Sequence, residues 1–277
     1  MRTIVVSGGT SGIGEALAST YLDRGDQVIV IGPDPAKGKR FLDGAGDRAF
    51  FIRADLSLVS ENRRVIDEIR ARFATVDVLV LCARYFRSFR TVTTEGLEHN
   101  FALYYLSRFL LGYGLVAAME TATAPVVMNV AGPGMSAGSI HWDDLGLEHG
   151  YDGWSAMLQG GKLNDLLGVS FGNRGYRARY VLLFPDGTRT GLAGEFDAPT
   201  AAQVAEMKRH GQPVERVIPP ITALIDAPPR EPLTAVVRGR RIGLALPSFD
   251  GAAATRLDAL TRDLLRQHRP DADRTGR

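Results

Sequence analysis

The chain has 277 residues, 45% of them hydrophobic, and a formal net charge of +2. That is enough apolar material for one large α/β domain, and the near-neutral charge gives no electrostatic case for a nucleic-acid partner. No apolar run approaches the ~20 residues that span a bilayer, so no membrane segment is expected. The first residues enter a strand at once, so no signal peptide is expected, and the single cysteine, Cys82, precludes an internal disulfide and suits a reducing cytoplasm.

Strand-length apolar runs alternate with segments of helical period, which predicts βαβ units and a parallel sheet between two helical layers. Strands are predicted over Thr3–Ser7, Gln27–Ile31, Ala49–Ala54, Val78–Cys82, Val126–Val130 and Arg179–Phe184. Helices are predicted over Gly12–Arg24, Pro35–Leu42, Val59–Phe73, a long stretch near Thr94–Ala118, and Gly153–Gly172. Beyond Thr190 the pattern loosens. Short helices over Pro199–His210 and Val214–Asp226 precede a last strand, Leu233–Leu246, broken by Gly-Arg-Arg, and an amphipathic helix over Ala252–Gln267. The expectation is a single domain over residues 1–267, with 191–230 a lid or insertion on the substrate side and 268–277 a polar tail.

The first strand runs into Ser7-Gly8-Gly9-Thr10-Ser11-Gly12-Ile13-Gly14, which opens the first helix. Glycines allow a tight turn and close approach to a pyrophosphate, and the helix N-terminus offers free N–H groups to an anion. The N-terminal position, the strand before and the helix after all agree with a dinucleotide loop.

This loop resembles the Thr-Gly-x-x-x-Gly-x-Gly fingerprint of the short-chain dehydrogenase/reductase family, and the resemblance runs from about Thr3 to Thr190. Asp55-Leu56 resembles the family's adenine-contacting site. Glu95–Phe101 with Leu103–Leu106 resembles the Asn-bearing helix of the retinol-dehydrogenase-like branch, with Asn100 as that Asn. Ile140–Leu145 resembles a loop of the same branch, and Lys162-Leu163-Asn164 the Lys end of its Tyr-x-x-x-Lys-Leu-x-Asn stretch. Phe184–Thr190 resembles the turn beside the nicotinamide. The resemblance implies a Rossmann-type, doubly wound parallel sheet in three α/β/α layers. It implies NADP or NAD held by Gly8, Thr10, Ser11, Gly12, Ile13, Gly14, Asp55, Leu56, Cys82, Ala83, Lys162, Pro185, Thr188 and Thr190. It also implies a small-molecule substrate and a homodimer or homotetramer.

The departures concern oxygen chemistry. In this family a Tyr four residues before the Lys and a Ser after the fifth strand handle the reacting oxygen. Here those positions are Leu158 and Gly132. Neither carries a titratable proton, and loss of a positioned acid typically costs ~10²–10⁴ in rate. Arg84 replaces a glycine of the Asn-Asn-Ala-Gly run, where it could meet phosphate, meet an acidic substrate or fill cofactor space. Pro33 stands where an Arg often holds a 2′-phosphate, and Asp34 could take ribose hydroxyls instead, so the choice of dinucleotide stays open. Only four of the 33 basic residues are lysines (Lys37, Lys39, Lys162 and Lys208), which fits a GC-rich bacterial genome and makes Lys162 informative.

Substitute acids are sought nearby. Tyr151 and Gln159 are preferred on sequence proximity, with Ser136, Ser155, Tyr85 and Tyr104 as further candidates. The group His141, Asp143, Asp144, Glu148 and His149 is read as a structural loop, so no metal is expected. The stripe Phe101, Tyr105, Leu106, Phe109 and Leu110 is read as core or subunit interface. The expectation is an atypical enzyme on a small carbonyl-bearing or polycyclic metabolite of bacterial specialised metabolism, working by unusual hydride transfer or by a non-redox dehydration, cyclisation or rearrangement. The alternatives are a catalytically silent dinucleotide sensor or partner subunit, and an ordinary reductase with a relocated proton donor.

Overall fold

A computed structural model describes residues 1–190 and 192–268. Eight strands form one sheet: β1 (Thr3–Ser7), β2 (Gln27–Gly32), β3 (Ala49–Arg53), β4 (Val78–Leu81), β6 (Val126–Val130), β7 (Arg179–Phe184), β9 (Leu233–Val237) and β10 (Arg240–Ile242). Their spatial order is β10-β9-β7-β6-β4-β1-β2-β3, parallel except for the β9–β10 pair. Two short strands, β5 (Phe86–Arg87) and β8 (Gly194–Glu195), pair outside it.

Alternation along the buried strands sends successive side chains to opposite faces. Val5, Ile29, Leu79 and Leu81 join a core with α3 (Val59–Arg72), α5 (Ser107–Gly114), α7 (Gly153–Gly172) and α10 (Gly251–Gln267). Ile4, Val6, Val28 and Val80 join a second core with α1 (Gly12–Asp23), α2 (Pro35–Leu42) and α9 (Val214–Asp226). The result is a three-layer, doubly wound α/β/α domain. From β1 the chain winds outward to β2 and β3 and then returns to β4. The sheet therefore has its switch point between β1 and β4, where the carboxyl ends of the strands leave a crevice.

Two expectations need correction. The long helix does not begin at Thr94. Gly96 turns the chain with φ of 80°, and the Glu98 carboxylate caps the helix by accepting the Asn100 and Phe101 amides at 2.9 and 2.6 Å. Helix α4 (His99–Phe101) then passes through a π-turn at Ala102–Leu106 into α5, and Leu115 separates that from α6 (Val116–Met119). Leu233–Leu246 is not one strand. Arg238 and Gly239 take φ of 50° and 75°, and two consecutive left-handed residues reverse the chain into the β9–β10 hairpin. The stripe Phe101, Tyr105, Leu106 and Phe109 is core, because α10 of the same chain covers it. The Tyr105 hydroxyl meets Thr261 Oγ1 at 2.6 Å, and the Arg262 guanidinium lies over Phe109 and Tyr113.

Segment 191–230 serves two purposes. Helix α9 buries Val217, Ile218, Ile221 and Ile225 in the second core. Leu192, Ala193 and, from α8 (Ala198–His210), Met207 and Lys208 instead overhang the crevice. Gly191 and 269–277, which include most of the expected polar tail, lie outside the described residues.

Candidate functional site

The crevice at the switch point is a cleft of about 370 Å³. Its floor is the glycine loop. Gly8 takes φ of 69°, and a Cβ there would stand 2.7 Å from the Ala83 α-carbon; a Cβ on Gly14 would stand 2.3 Å from the Gly8 carbonyl oxygen. The backbone of β1, the turn and α1 can pack this closely only without side chains. Helix α1 starts without a side-chain cap. Asp34, Asp152, Asp197 and Asp250 cap α2, α7, α8 and α10 with their carboxylates, whereas Ser11 at the head of α1 makes no side-chain cap bond. The first-turn amides of α1 are left for an anion from outside the helix.

Of the residues expected to hold a dinucleotide, Gly8, Ser11, Gly12, Ile13, Gly14, Cys82, Arg84, Pro185, Thr188 and Thr190 line the cleft. Thr190 lies against Gly12, where a Cβ would come within 3.2 Å of its Oγ1. Thr10 is buried and packs under Gly32 rather than facing the cleft. Ala83 contributes backbone, its amide directed at Ser7 Oγ at 3.4 Å. Leu56 is core. Asp55 lies at the carboxyl end of β3, where Oδ1 accepts the amide and hydroxyl of Ser57 at 2.9 and 2.7 Å. Asp34 spends its Oδ1 capping α2. Burial pushes the Cys82 thiol up to about 12, so it is protonated and inert at neutral pH.

Gly132 and Leu158 both line the cleft. A Cβ added to Gly132 would meet only the Met135 Cγ, at 3.9 Å, so a side-chain-sized space stands open there. Among Met135, Met157, Leu158, Phe184, Leu192 and Met207 the wall is apolar. Its one acid, Asp186, is engaged by Arg238 at 2.9 Å and Gln212 at 3.2 Å.

The expected catalytic residues Asn100, Tyr151, Gln159 and Lys162 have partners of their own within the protein. The Asn100 amide brackets the β5 backbone, accepting from Arg87 N at 3.2 Å and donating to Arg87 O at 3.0 Å and to the Tyr151 hydroxyl at 2.7 Å. Tyr151 is thereby held with Glu98 behind the cleft wall, and burial followed by the Glu98 charge raises its phenol above the ordinary value. Gln159 is buried and staples the 140–145 loop, accepting from His141 N at 2.8 Å and donating to Leu145 O at 3.0 Å. Ser136 is exposed on the outer side of its loop. Lys162 donates to the Met135 carbonyl at 3.0 Å. In the 141–149 loop, Asp144 accepts the amides of Glu148 and His149 and so closes a turn.

The side chain that the long helix does present to the cleft is Tyr104, ranked only as a further candidate on sequence. The guanidinium of Arg84 lies 4.8 Å from its ring centroid, and that of the buried Arg108 lies 4.6 Å from it. Arg108 was missed. Its signal is a charged residue inside the apolar run Leu106–Leu111.

The sheet order, the switch-point cleft and the glycine turn define a dinucleotide-binding type of fold. The family model of the short chain dehydrogenases matches residues 2–142, and the chain belongs to that family. It is 29% identical over 164 residues to dehydrogenase/reductase SDR family member 12 of Bos taurus, covering 57% of this chain and 51% of that one. It is 24% identical over 219 residues to retinol dehydrogenase 14 of Mus musculus, covering 73% and 66%. The chain thus spans about half to two thirds of the length of these relatives. A Shigella flexneri chain described as a short chain dehydrogenase complexed with NADP superimposes with a TM-score of 0.63 at 15% identity, covering 86% of this chain and 97% of that one.

Proposed function

We propose that the chain binds NADP or NAD across the β1–β4 crevice and acts there on a small carbonyl-bearing or polycyclic metabolite. The observation that carries this reading is the uncapped start of α1 behind a loop whose Gly8 and Gly14 tolerate no Cβ. Residues Gly12, Ile13 and Gly14 would hold the pyrophosphate on backbone amides, Asp55 would take the adenine side, and Pro185, Thr188 and Thr190 would flank the nicotinamide. When bound, the dinucleotide supplies a hydride donor or acceptor. The apolar wall from Met135 to Met207 excludes water and suits a ligand with a hydrophobic body. With Gly132 and Leu158 at the reacting end, the usual route to the ligand oxygen is missing, so the chemistry is atypical.

Titration with NADPH and NADH, followed by nicotinamide fluorescence, tests the reading. Saturable binding of either is expected. Failure of both to bind would remove it. A second reading, a catalytically silent dinucleotide sensor, draws on Lys162, whose ammonium is spent on Met135 rather than turned into the cleft. Dinucleotide binding with no hydride consumed across a carbonyl panel would favour it.

A further inference from the structure

One phenol lines the cleft. Tyr104 is 6% exposed and lines the wall beside Gly132 and Leu158. Among the described residues no group hydrogen-bonds its hydroxyl, and the oxygen is not sealed from solvent. Neighbouring phenols are committed inside the protein, Tyr105 to Thr261, Tyr151 to Asn100 and Tyr180 to Asn129.

The surroundings are shaped for this ring. A Cβ on Gly160 of α7 would stand 2.6 Å from the Tyr104 Cδ1, so glycine is what admits an aromatic side chain at that point. The Tyr104 carbonyl accepts the Asn164 amide at 2.8 Å, which fixes the backbone below it. Positive charge is then gathered on the ring. Arg108 is 1% exposed and no carboxylate pairs with it among the described residues. It donates instead to Asn129 Oδ1, to Val130 O at 2.9 Å and to Ala83 O at 3.2 Å. Among the described residues Arg84 also lacks an acidic partner, and it donates to Met157 Sδ while lying over the Tyr104 ring. A buried cation without an acid is costly, so Arg108 beneath the ring, with the half-buried Arg84 over it, calls for a negative charge that develops at the edge of the cleft.

We propose that Tyr104 is the acid–base residue of this cleft, its hydroxyl meeting the carbonyl or enol oxygen of the ligand while Arg84 and Arg108 stabilise the charge that develops on the two oxygens. In the reductive direction the Tyr104 O–H bond breaks and its proton passes to the carbonyl oxygen. The carbonyl carbon receives a hydride from a reduced nicotinamide dinucleotide, which is oxidised. The products are an alcohol and a tyrosinate, which regains its proton from solvent. This assignment rests on the dinucleotide-cleft reading above.

The probe is 4-nitrophenolate, an oxyanion whose visible absorbance distinguishes ionised from neutral phenol. Wild-type protein is expected to bind the anion. Tyr104→Phe keeps the ring that fills the Gly160 notch and should weaken that binding about tenfold, the worth of one hydrogen bond to a charged group. Arg84→Met should weaken it by a similar factor, while Tyr104→Phe leaves NADPH affinity within about twofold. Equal nitrophenolate affinity in wild type and Tyr104→Phe, or no binding to wild type, overturns the proposal. Hydroxyl-dependent nitrophenolate binding by a protein that binds neither dinucleotide would sink the dinucleotide reading alone and keep Tyr104 as the oxygen-binding group.

Discussion

The ammonium of Lys162 donates to the Met135 carbonyl at 3.0 Å, tying α7 to the loop that carries Gly132. The bond is exposed, so its contribution to folding is small, about 0.5–1 kcal/mol. Its weight falls on the cleft instead, because Gly132, Pro133 and Met135 are wall residues. Lys162→Met is expected to lower the melting temperature by only a few degrees and to weaken dinucleotide binding several-fold, read by fluorescence titration. Unchanged affinity would show that neither the loop tie nor the ammonium serves the cofactor.

The same loop is held from beneath by Asp165. Its carboxyl is fully buried, and Oδ2 accepts the Gly134 amide at 2.9 Å. Burial pushes this carboxyl up to about 7, partly offset by the Gly134 N–H, the Ser248 hydroxyl and the Lys162 charge. The folded state therefore binds this proton more tightly than the unfolded chain. Asp165 favours folding below pH 4, and its contribution is lost as pH rises from about 4 to about 7. Asp165→Asn keeps an acceptor for Gly134 and removes the titration. The melting temperature of the variant relative to wild type should rise across that window and level off above it. A difference independent of pH would refute the assignment.

Gly132 leaves open space and Leu158 faces the cleft, so the family's oxygen-handling pair can be restored. The double variant Gly132→Ser with Leu158→Tyr should fold, since a Cβ at 132 meets nothing closer than 3.9 Å. Carbonyl-dependent oxidation of NADPH is expected to rise at least tenfold over wild type, at the low end of what a positioned acid contributes. No gain in a variant that still binds dinucleotide would mean that the cleft no longer seats a carbonyl at the reactive position.

The glycine turn gives a sharper test of binding. Gly14→Ala drives a methyl group to 2.3 Å from the Gly8 carbonyl, and backbone on both sides must move. Dinucleotide binding should be lost, with destabilisation of about 1–3 kcal/mol from overpacking, measured by urea denaturation. Gly25→Ala, at a surface turn with φ of 87° and nothing near its Cβ, should cost stability without touching dinucleotide affinity.

Arg108 predicts a stability effect of its own. It bonds to Asn129 and to the carbonyls of Val130 and Ala83, at the ends of two central strands. Arg108→Met relieves a buried charge but strands those acceptors. A net loss of about 1–3 kcal/mol is expected from the unsatisfied groups, read by chemical denaturation. A stabilised variant would mean that the burial cost of the cation outweighs its hydrogen bonds.

Much of this protein is decided by local pattern. The strand-length apolar runs at Thr3–Ser7, Val126–Val130 and Arg179–Phe184 are strands at the predicted residues, and Pro35–Leu42, Gly153–Gly172 and Val214–Asp226 are helices at theirs. Burial on both faces of a parallel sheet demands continuous apolar runs, and such runs are legible in one dimension. The glycine loop was legible for the same reason, since its requirement is a backbone path set by adjacent residues. The family resemblance implied that Gly132 and Leu158 stand at the Ser and Tyr positions, and both line the cleft.

What the sequence could not decide is the direction in which each polar side chain points. Tyr151 and Asn100 lie 51 positions apart and satisfy one another, which removes both from the cleft. Gln159 is one residue from Leu158, yet a step of about 100° around a helix sends it to a different neighbour. Tyr104 faces the cleft because Gly160, on another helix, leaves room for its ring, and because Arg84 and Arg108 converge on it from separate elements. Hydrogen-bond satisfaction and close packing are properties of the assembled tertiary structure, so only the folded chain could separate the phenol that props a loop from the one that opens on the site.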